Sequence, residues 1–558
     1  MTKKWWQNAV VYQVYPRSYQ DSNGDGVGDL AGLTQRLPYI KRLGADVIWL
    51  NPIYKSPDKD NGYDISDYQA IQPVYGSMAD FDQMLATAHQ TGLKILMDLV
   101  VNHTSDQHKW FQESRQSKDN PYADYYIWRD PVDGHAPNNW GSYFSGGAWT
   151  YEPKRGQYYL HLFAPGQPDL NWENPKVRQE VWNLMRFWLD KGVDGFRMDV
   201  INLISKPAGL PDAPVAPGAQ YGNSEPLVSD GPKLNDYLQE MNREVLSHYD
   251  VMTVGEMPGS TPEDAIQYTG LDANELNMVF QFEHVGLSAN PDERLGKWND
   301  QPVQLIDLKR SLSRWQTALD GKGWNSLYWN NHDQPRAVSR FATDDPQYRV
   351  RAAKMLGTTL HMLQGTPYVY EGEELGETNV HYTKLSDYED LESLNAYHQN
   401  VEEDHLVDSQ TMLKYLAHIS RDNARTPMQW DATANAGFTT GKPWFALNPN
   451  YPQINAKSQV DDDQSVFNYY RQLIALRHHS DLIVYGSYQA LDPEDNQVFA
   501  YKRHYQGQTL LVISNFTAES VTRDYGQAQA SQRLIGNYAD DAGTTLRPYE
   551  TKVYQFND

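Results

Sequence analysis

Short apolar runs alternate with longer amphipathic runs over most of the chain. A helix-like run from Leu30 to Leu43 precedes the strand-like run from Val47 to Leu50, and a second from Ser77 to Thr91 precedes Lys94 to Val100. A further helix-like run, from Pro175 to Gly192, resumes the series after a gap. The pairs recur at roughly 40–50 residues, a spacing typical of strand–helix units. The pattern predicts an α/β fold built on a parallel sheet.

Two segments depart from this alternation and predict separate domains. Residues 105–171 are rich in Trp, Tyr, Gly, Asn and Pro without helical periodicity. A structureless loop of that length is unusual in a compact domain, so we expect a small inserted domain there. Residues 484–558 contain short alternating strands, which predict a C-terminal antiparallel β-sandwich. The main domain then comprises residues 1–104 and 172–483, within which the polar stretch 378–453 is expected to be irregular.

Composition narrows the possible environments and partners. The 558 residues contain no cysteine, which excludes disulfides, thiolate zinc sites and a cysteine nucleophile and fits a reducing compartment. The first 12 residues lack the pattern of a secretory signal, and no apolar run approaches the roughly 20 residues of a membrane span. A net charge of −24 argues against nucleic acid and anionic membranes as partners. We therefore expect a cytoplasmic, monomeric protein that acts on a small molecule.

Charged side chains occupy the ends of several apolar strands. Arg197 and Asp199 lie two residues apart in one such strand and therefore share a face. A buried ion pair without chemistry would explain them in isolation. Other strands, however, end in similar side chains: Glu256, the pair His332-Asp333, and His103. Several such residues at the C-terminal ends of successive strands are what an active site on a TIM barrel requires.

These four strand ends resemble the conserved regions of the α-amylase superfamily, glycoside hydrolase family 13. They occupy residues 96–103, 195–200, 251–256 and 327–333, and the stretch from Arg421 to Trp430 resembles a further signature. Within the superfamily the chain looks closest to the oligo-1,6-glucosidase, dextran glucosidase and isomaltase group. The resemblance implies a TIM (β/α)8 barrel with an inserted domain after the third strand. It also implies a retaining, exo-acting α-glucosidase that cleaves α-1,6 bonds of isomalto-oligosaccharides at the non-reducing end.

The resemblance assigns roles to individual residues. Asp199 would be the nucleophile, Glu256 the acid/base and Asp333 the third acid, which holds sugar hydroxyls. A pair formed by Asp60 and either Arg421 or Arg425 would close the end of the pocket. The full set of implied substrate-binding residues is Asp60, Tyr63, His103, Phe144, Phe163, Gln167, Arg197, Val200, His332, Arg421 and Arg425.

The loop from Asp21 to Asp29 concentrates oxygen-bearing side chains at alternate positions, with glycines that allow a tight turn. Carboxylates this close repel one another unless a cation neutralises them. The alternative is an Asp/Gly-rich turn without a cation. Gly32 stands where an EF-hand has its glutamate, which excludes that motif. By the resemblance, a structural Ca²⁺ or Mg²⁺ would be bound by Asp21, Asn23, Asp25, Asp29 and the carbonyl of Val27.

Other activities are also compatible with these residues. A trehalose-6-phosphate hydrolase needs a basic pocket, and the loop from Ser205 to Pro232 offers only Lys206 as a cation. Enzymes acting on sucrose or on α-1,4 bonds share the three acids. An inactive carbohydrate-binding relative would have lost part of that triad, because fold alone does not confer activity; here all three acids are present.

Overall fold

The main domain is a closed barrel of eight parallel strands in a computed structural model that describes residues 3–557. Each strand pairs with the next in chain order, and β8 pairs with β1. A single bridge between Val279 and Asn325 joins β6 to β7. The predicted TIM barrel is confirmed. Its strands are β1 (Val11–Val14), β2 (Val47–Leu50), β3 (Lys94–Val100), β4 (Gly195–Asp199), β5 (Met252–Glu256), β6 (Met278–Phe280), β7 (Ser326–Leu327) and β8 (Thr366–Tyr370).

A helix of between 8 and 16 residues follows each strand. The first begins after Asp29, whose side chain accepts a hydrogen bond from the Gly32 N–H, and ends at Gly44 in the left-handed conformation. Asn174 caps the third, which has Pro175 at its first position. The helices are α1 (Leu30–Leu43), α2 (Met78–Thr91), α3 (Pro175–Asp190), α4 (Leu234–Glu244), α5 (Pro262–Thr269), α6 (Leu305–Leu319), α7 (Arg349–His361) and α8 (Val466–His478).

An antiparallel sheet of three strands lies between β3 and α3, inside the predicted insertion. Its strands are Trp128–Arg129, Gln157–Leu160 and Trp149–Glu152, in that spatial order. The loop after β4 contacts this insertion through a bridge between Gly222 and Trp140. The insertion therefore covers the C-terminal ends of the strands on the side of β3 and β4.

The C-terminal part is an antiparallel β-domain, as predicted. Five strands form one sheet, and the pair Val521–Thr522 and Thr545–Leu546 packs on one of its faces. The other face packs on the barrel, where the Tyr501 hydroxyl donates to the carbonyl of Thr359 in α7 at 2.8 Å. The five strands, in spatial order, are Ser487–Leu491, Val498–Tyr505, Gln508–Asn515, Thr551–Asn557 and Gln532–Gly536. The exact domain limits stay predictions.

The expectation of an irregular segment at 378–453 is wrong in part. Two helices occupy Leu391–Tyr397 and Ser409–Ile419, connected by a π-helical turn. Met412, Leu416 and Ile419 recur at helical spacing and form a separate apolar cluster with the first helix. This helical pair lies at the same end of the barrel as the insertion, because Nδ2 of Asn395 donates to the carbonyl of Phe144 at 3.0 Å. Among residues 3–557 no helix is long and apolar enough to cross a membrane.

Candidate active site

The guanidinium of Arg197 is the centre of a buried charged group. Its Nη1 donates to Oδ1 of Asp98 and to Oδ1 of Asp199, both at 2.7 Å, and Nη2 lies 2.6 Å from Oε1 of Glu256. Arg197 in β4 is in register with Asp98 in β3 and Val254 in β5, so three adjacent strands converge on it. One arginine thus fixes two carboxyl groups at the C-terminal ends of neighbouring strands.

The environment separates the two carboxyl groups chemically. Burial raises the pKa of Asp199 to about 6, although the charge of Arg197 opposes this rise. Burial raises the pKa of Glu256 further, to about 7; Arg197 again opposes the rise, and the nearby Asp199 and Asp333 add to it. Between these values Asp199 is mostly ionised and Glu256 mostly protonated, which is the division of roles between a nucleophile and an acid.

Asp333 follows β7 and is held in its ionised form. Burial would raise its pKa, but His332, Arg421 and Arg425 outweigh burial and hold the pKa well below the usual range. The ring Nε2 of His332 lies 2.9 Å from Oδ2, while Arg421 and Arg425 approach Oδ1 at 3.1 and 2.9 Å. A permanently charged carboxylate is suited to accepting hydrogen bonds from sugar hydroxyls.

Arg421 lines the cavity next to Asp60. Its Nη2 lies 3.7 Å from Oδ1 of Asp60, and its guanidinium also contacts Asp333. Arg425 makes no contact of this kind with Asp60; it donates to the carbonyl of His332 and lies behind the wall. Of the two arginines that the sequence left open, Arg421 is therefore the one that lies beside Asp60.

A cavity of about 190 Å³ connects these groups to solvent. Of the predicted residues, Gln167, Arg197, His332 and Arg425 lie behind its wall, where they contact residues that line it. The predicted residues that line it directly are Asp60, Tyr63, His103, Phe144, Phe163, Asp199, Val200, Glu256, Asp333 and Arg421.

Aromatic side chains line the cavity beside His103, and an amide supports Asp60 from behind the wall. Phe163 contacts the ring of His103 with centroids 5.2 Å apart, and Phe144 packs edge-on against Phe163 at 5.4 Å. Gln167 donates to Oδ2 of Asp60 at 2.9 Å and so helps to fix that carboxyl group. Burial raises the pKa of Asp60 to about 7, with Arg421 opposing the rise.

Strand alternation predicts that the side chain of Val200 turns away from that of Asp199, toward the wall that a leaving sugar passes. β4 ends at Asp199, and Val200 adopts a left-handed conformation with φ 33° and ψ 43°, so strand alternation does not direct its side chain. The left-handed region is rare for a β-branched residue. Val200 nevertheless lines the cavity and packs with Leu203 in the apolar cluster beneath the insertion. Its N–H donates to Oε2 of Glu256 at 3.0 Å.

Sequence reasoning missed four charged residues. Asp98 is as unusual in its apolar strand as Arg197 is in the next, and that anomaly could have revealed it. Asp390 is fully buried against Arg421 and Arg425. Lys297 and Glu392 form an ion pair of 2.6 Å at the cavity wall; Lys297 comes from a loop, and Glu392 from the first turn of the helix Leu391–Tyr397.

The loop from Asp21 to Asp29 folds on its own hydrogen bonds. Oδ1 of Asp21 accepts from the N–H groups of Asn23 and Gly24, Oδ1 of Asn23 from that of Asp25, and Oδ1 of Asp25 from that of Val27. Asp29 caps α1. Within residues 3–557 no three acidic or histidine side chains converge as a metal-binding group. The loop fits Ca²⁺ or Mg²⁺ by its oxygen chemistry, and none of its residues lines the cavity.

Residues 13–486 match the family model described as "Alpha amylase, catalytic domain". The chain belongs to the α-amylase family. Residues 488–551 match the model described as "Maltogenic Amylase, C-terminal domain". This glycoside hydrolase is 55% identical to the oligo-1,6-glucosidase of Parageobacillus thermoglucosidasius over 563 residues, which span 100% of this chain and 99% of that protein.

Other relatives of this α-amylase family member carry different names. It is 49% identical to the trehalose-6-phosphate hydrolase of Bacillus subtilis strain 168, over 99% of this chain and 98% of that protein. Its structure superposes with a TM-score of 0.96, at 44% identity and over 100% of both chains, on a mutant isomaltulose synthase from Erwinia rhapontici NX5 in complex with sucrose. Family membership therefore leaves the substrate to be argued from the site.

Proposed function

We propose that this enzyme is a retaining, exo-acting α-glucosidase that hydrolyses α-1,6 bonds at the non-reducing end of isomalto-oligosaccharides. The observation that supports this most strongly is the pair Asp199 and Glu256 held by one guanidinium at the wall of a small cavity. Retaining glycosidases need two carboxyl groups close together, at about 5–5.5 Å, with no room for a water molecule between one of them and the sugar.

The reaction proceeds in two displacements. Ionised Asp199 attacks the anomeric carbon while Glu256 gives its proton to the leaving oxygen, and a covalent glucosyl ester forms on Asp199. A water molecule then attacks the anomeric carbon from the side of Glu256, which takes one of its protons and so regenerates the acid. The ester bond breaks, and glucose leaves with its original anomeric configuration.

The closed end of the cavity supports cleavage of one terminal sugar at a time. Asp60, Arg421 and Asp333 form a connected set of charges there. Such charges can make paired hydrogen bonds to the hydroxyls of a terminal glucose, whereas a continuing chain would collide with them. The non-reducing sugar therefore binds at this end, and the leaving sugar faces solvent.

The cations near the site do not favour a phosphorylated substrate. Lys206, the candidate from the sequence, is buried and lies 2.6 Å from Oδ2 of Asp169. At the cavity wall Lys297 is paired with Glu392, and Arg421 with Asp390 and Asp333. Within residues 3–557 each cation lining the cavity already has a carboxylate partner. Trehalose 6-phosphate would have to displace one of them, so we rank it below isomaltose.

Isomaltose is expected to exceed maltose by at least about tenfold in kcat/KM, because an apolar wall at Val200 distinguishes the two directions from which a leaving sugar approaches. Val200→Ala and Val200→Thr should narrow that ratio, chiefly by raising maltose hydrolysis. The test is glucose release from isomaltose, panose, maltose and trehalose 6-phosphate under identical conditions. A wild type that prefers maltose or the phosphorylated sugar contradicts the proposed substrate.

We also propose that the loop from Asp21 to Asp29 binds a structural Ca²⁺ or Mg²⁺. Support comes from its oxygen-rich side chains and its position away from the cavity. Removing the ion with a chelator should lower Tm more than it lowers the initial rate, because an ion that binds only the folded state stabilises it. Calorimetry with and without chelator, with elemental analysis of the untreated protein, checks this. Protein that contains neither metal contradicts it.

The proposed surroundings of the enzyme follow from composition. The absence of cysteine fits a reducing cytoplasm, and the net charge of −24 fits a protein that remains dispersed and acts as a monomer on a neutral sugar.

A further inference from the structure

Lys206 is a buried lysine whose three donors are all engaged. Only 6% of its side chain is exposed. Its Nζ lies 2.6 Å from Oδ2 of Asp169 and donates to Oδ1 of Asn102 at 2.7 Å and to the carbonyl of Leu203 at 2.6 Å. Residue 102 immediately precedes His103 at the cavity wall. The lysine thus connects the loop after β4 to the loop after β3.

The ion pair fixes the orientation of the Asn102 amide. The ammonium of Lys206 holds the oxygen of the amide, and the carboxylate of Asp169 accepts from its nitrogen at 3.3 Å. A rotated amide would direct its NH₂ at the ammonium and its oxygen at the carboxylate, so both contacts would become repulsive. Nδ2 of Asn102 therefore remains 3.2 Å from Nδ1 of His103 and acts as a donor to it.

This orientation decides between two states of the His103 ring. Burial lowers the pKa of His103 to about 4, so the ring is neutral and carries one N–H. Its Nε2 lies 3.2 Å from the carbonyl of Tyr63, which needs a donor, and 3.3 Å from Nε2 of Gln167, which offers one. These two neighbours favour opposite tautomers. The donor on Asn102 resolves the conflict, because it requires Nδ1 to be the acceptor.

We propose that Lys206 and Asp169 are positioning residues that hold His103 as the Nε2–H tautomer by orienting the Asn102 amide between them. His103 then carries its N–H at Nε2, on the side of the ring away from Asn102, where the carbonyl of Tyr63 accepts it and a sugar hydroxyl can share it. Without the ion pair, Asn102 can rotate and accept from Nδ1, while Gln167 donates to Nε2. The expected effect on activity rests on the proposed glucosidase function, whereas the expected tautomer of His103 does not.

The test compares two double variants with different charge arrangements. Lys206→Met/Asp169→Asn removes both charges and frees the amide. Asn102→Asp/Asp169→Asn moves the carboxylate to position 102, so Lys206 keeps an anionic partner while residue 102 becomes an acceptor for His103. Two-bond ¹H–¹⁵N correlation spectra of histidine-labelled protein report the tautomer, and His103→Gln identifies the signals. Thermal unfolding shows that each variant is folded.

Both variants are expected to move the proton of His103 from Nε2 to Nδ1 and to lower kcat by about tenfold to a hundredfold, the loss of one hydrogen-bond donor to the substrate. A matched control, Lys233→Met/Glu173→Gln, removes an exposed ion pair of 2.9 Å on the same loop region and should change neither property. The proposal is overturned if His103 keeps Nε2–H in the folded variants, or if the carboxylate exchange loses activity without a change of tautomer. An inactive wild type would reject the proposed function and leave the tautomer result standing.

Discussion

Asp199→Asn is expected to lower kcat by at least about 10³-fold while leaving the fold intact. An amide is not a nucleophile at the anomeric carbon, yet its oxygen can still accept from Nη1 of Arg197 as the carboxylate does. Single-turnover and steady-state rates on isomaltose measure the loss, and thermal unfolding checks the fold. An NMR time course on the wild type should show α-glucose as the first product.

Asp98→Asn is the matched control for that variant. Asp98 contacts the same nitrogen of Arg197 at the same distance, but it does not line the cavity. The same chemical change at this position should therefore cost far less activity than at Asp199. Near-normal activity in Asp199→Asn would reject Asp199 as the nucleophile, and β-glucose as the first product would reject the retaining mechanism.

Arg197→Met is expected to abolish activity near neutral pH and to lower the free energy of unfolding by about 3–5 kcal/mol, the usual cost of leaving buried charges unpaired. Three carboxyl groups lose their common partner. Because Arg197 lowers the pKa values of Asp199 and Glu256, its removal should raise both and move the acidic limb of kcat/KM to higher pH.

The pH dependence of the stability of Arg197→Met follows from the same rise in the pKa values of Asp199 and Glu256. Carboxyl groups whose pKa values are higher in the folded than in the unfolded protein favour folding when protonated, and this contribution is lost as pH rises through the folded pKa values. The Tm of Arg197→Met should therefore recover toward that of the wild type as the pH is lowered from 8 to 5. Arg503→Met is a control, because Arg503 is also fully buried but donates to the backbone carbonyls of Met362 and Gly486. Equal pH profiles for the two arginine variants would contradict the role assigned to Arg197.

The barrel could be predicted because its determinants are local. Apolar runs mark the strands, and α1 and α3 carry their caps, Asp29 and Asn174, directly before them. The acids at strand ends could be predicted for the same reason, because a charged residue in an apolar run can be recognised from the sequence without knowing its partner. The backbone conformation of Val200 could not be predicted, for the opposite reason: an isolated left-handed residue ends the strand alternation, and no neighbouring glycine marks the change.

The positions of charged residues in the long connections between barrel strands and helices could not be predicted from the sequence pattern. Asp390 and Glu392 begin a helix in a segment that was expected to be irregular, and Lys297 lies between β6 and α6. Their roles depend on pairs formed across about 30 to 95 positions of sequence, such as Glu392 with Lys297. Only the fold brings such residues together, because no local propensity encodes a contact of that range.

The closure between β6 and β7 has a consequence for how this enzyme can diversify. Within residues 3–557 a single backbone bridge joins these strands, and side chains supply other connections: Ser326 Oγ to the carbonyl of Val279 at 2.7 Å, and Tyr328 OH to that of Gln281 at 2.6 Å. Point mutations can remove hydrogen bonds made by side chains, whereas they leave backbone hydrogen bonds between strands in place. Substitutions there can shift Asp333 while leaving the group around Arg197 in place. Natural variants could thus retune sugar recognition from the barrel wall, without altering the two carboxyl groups that perform the chemistry.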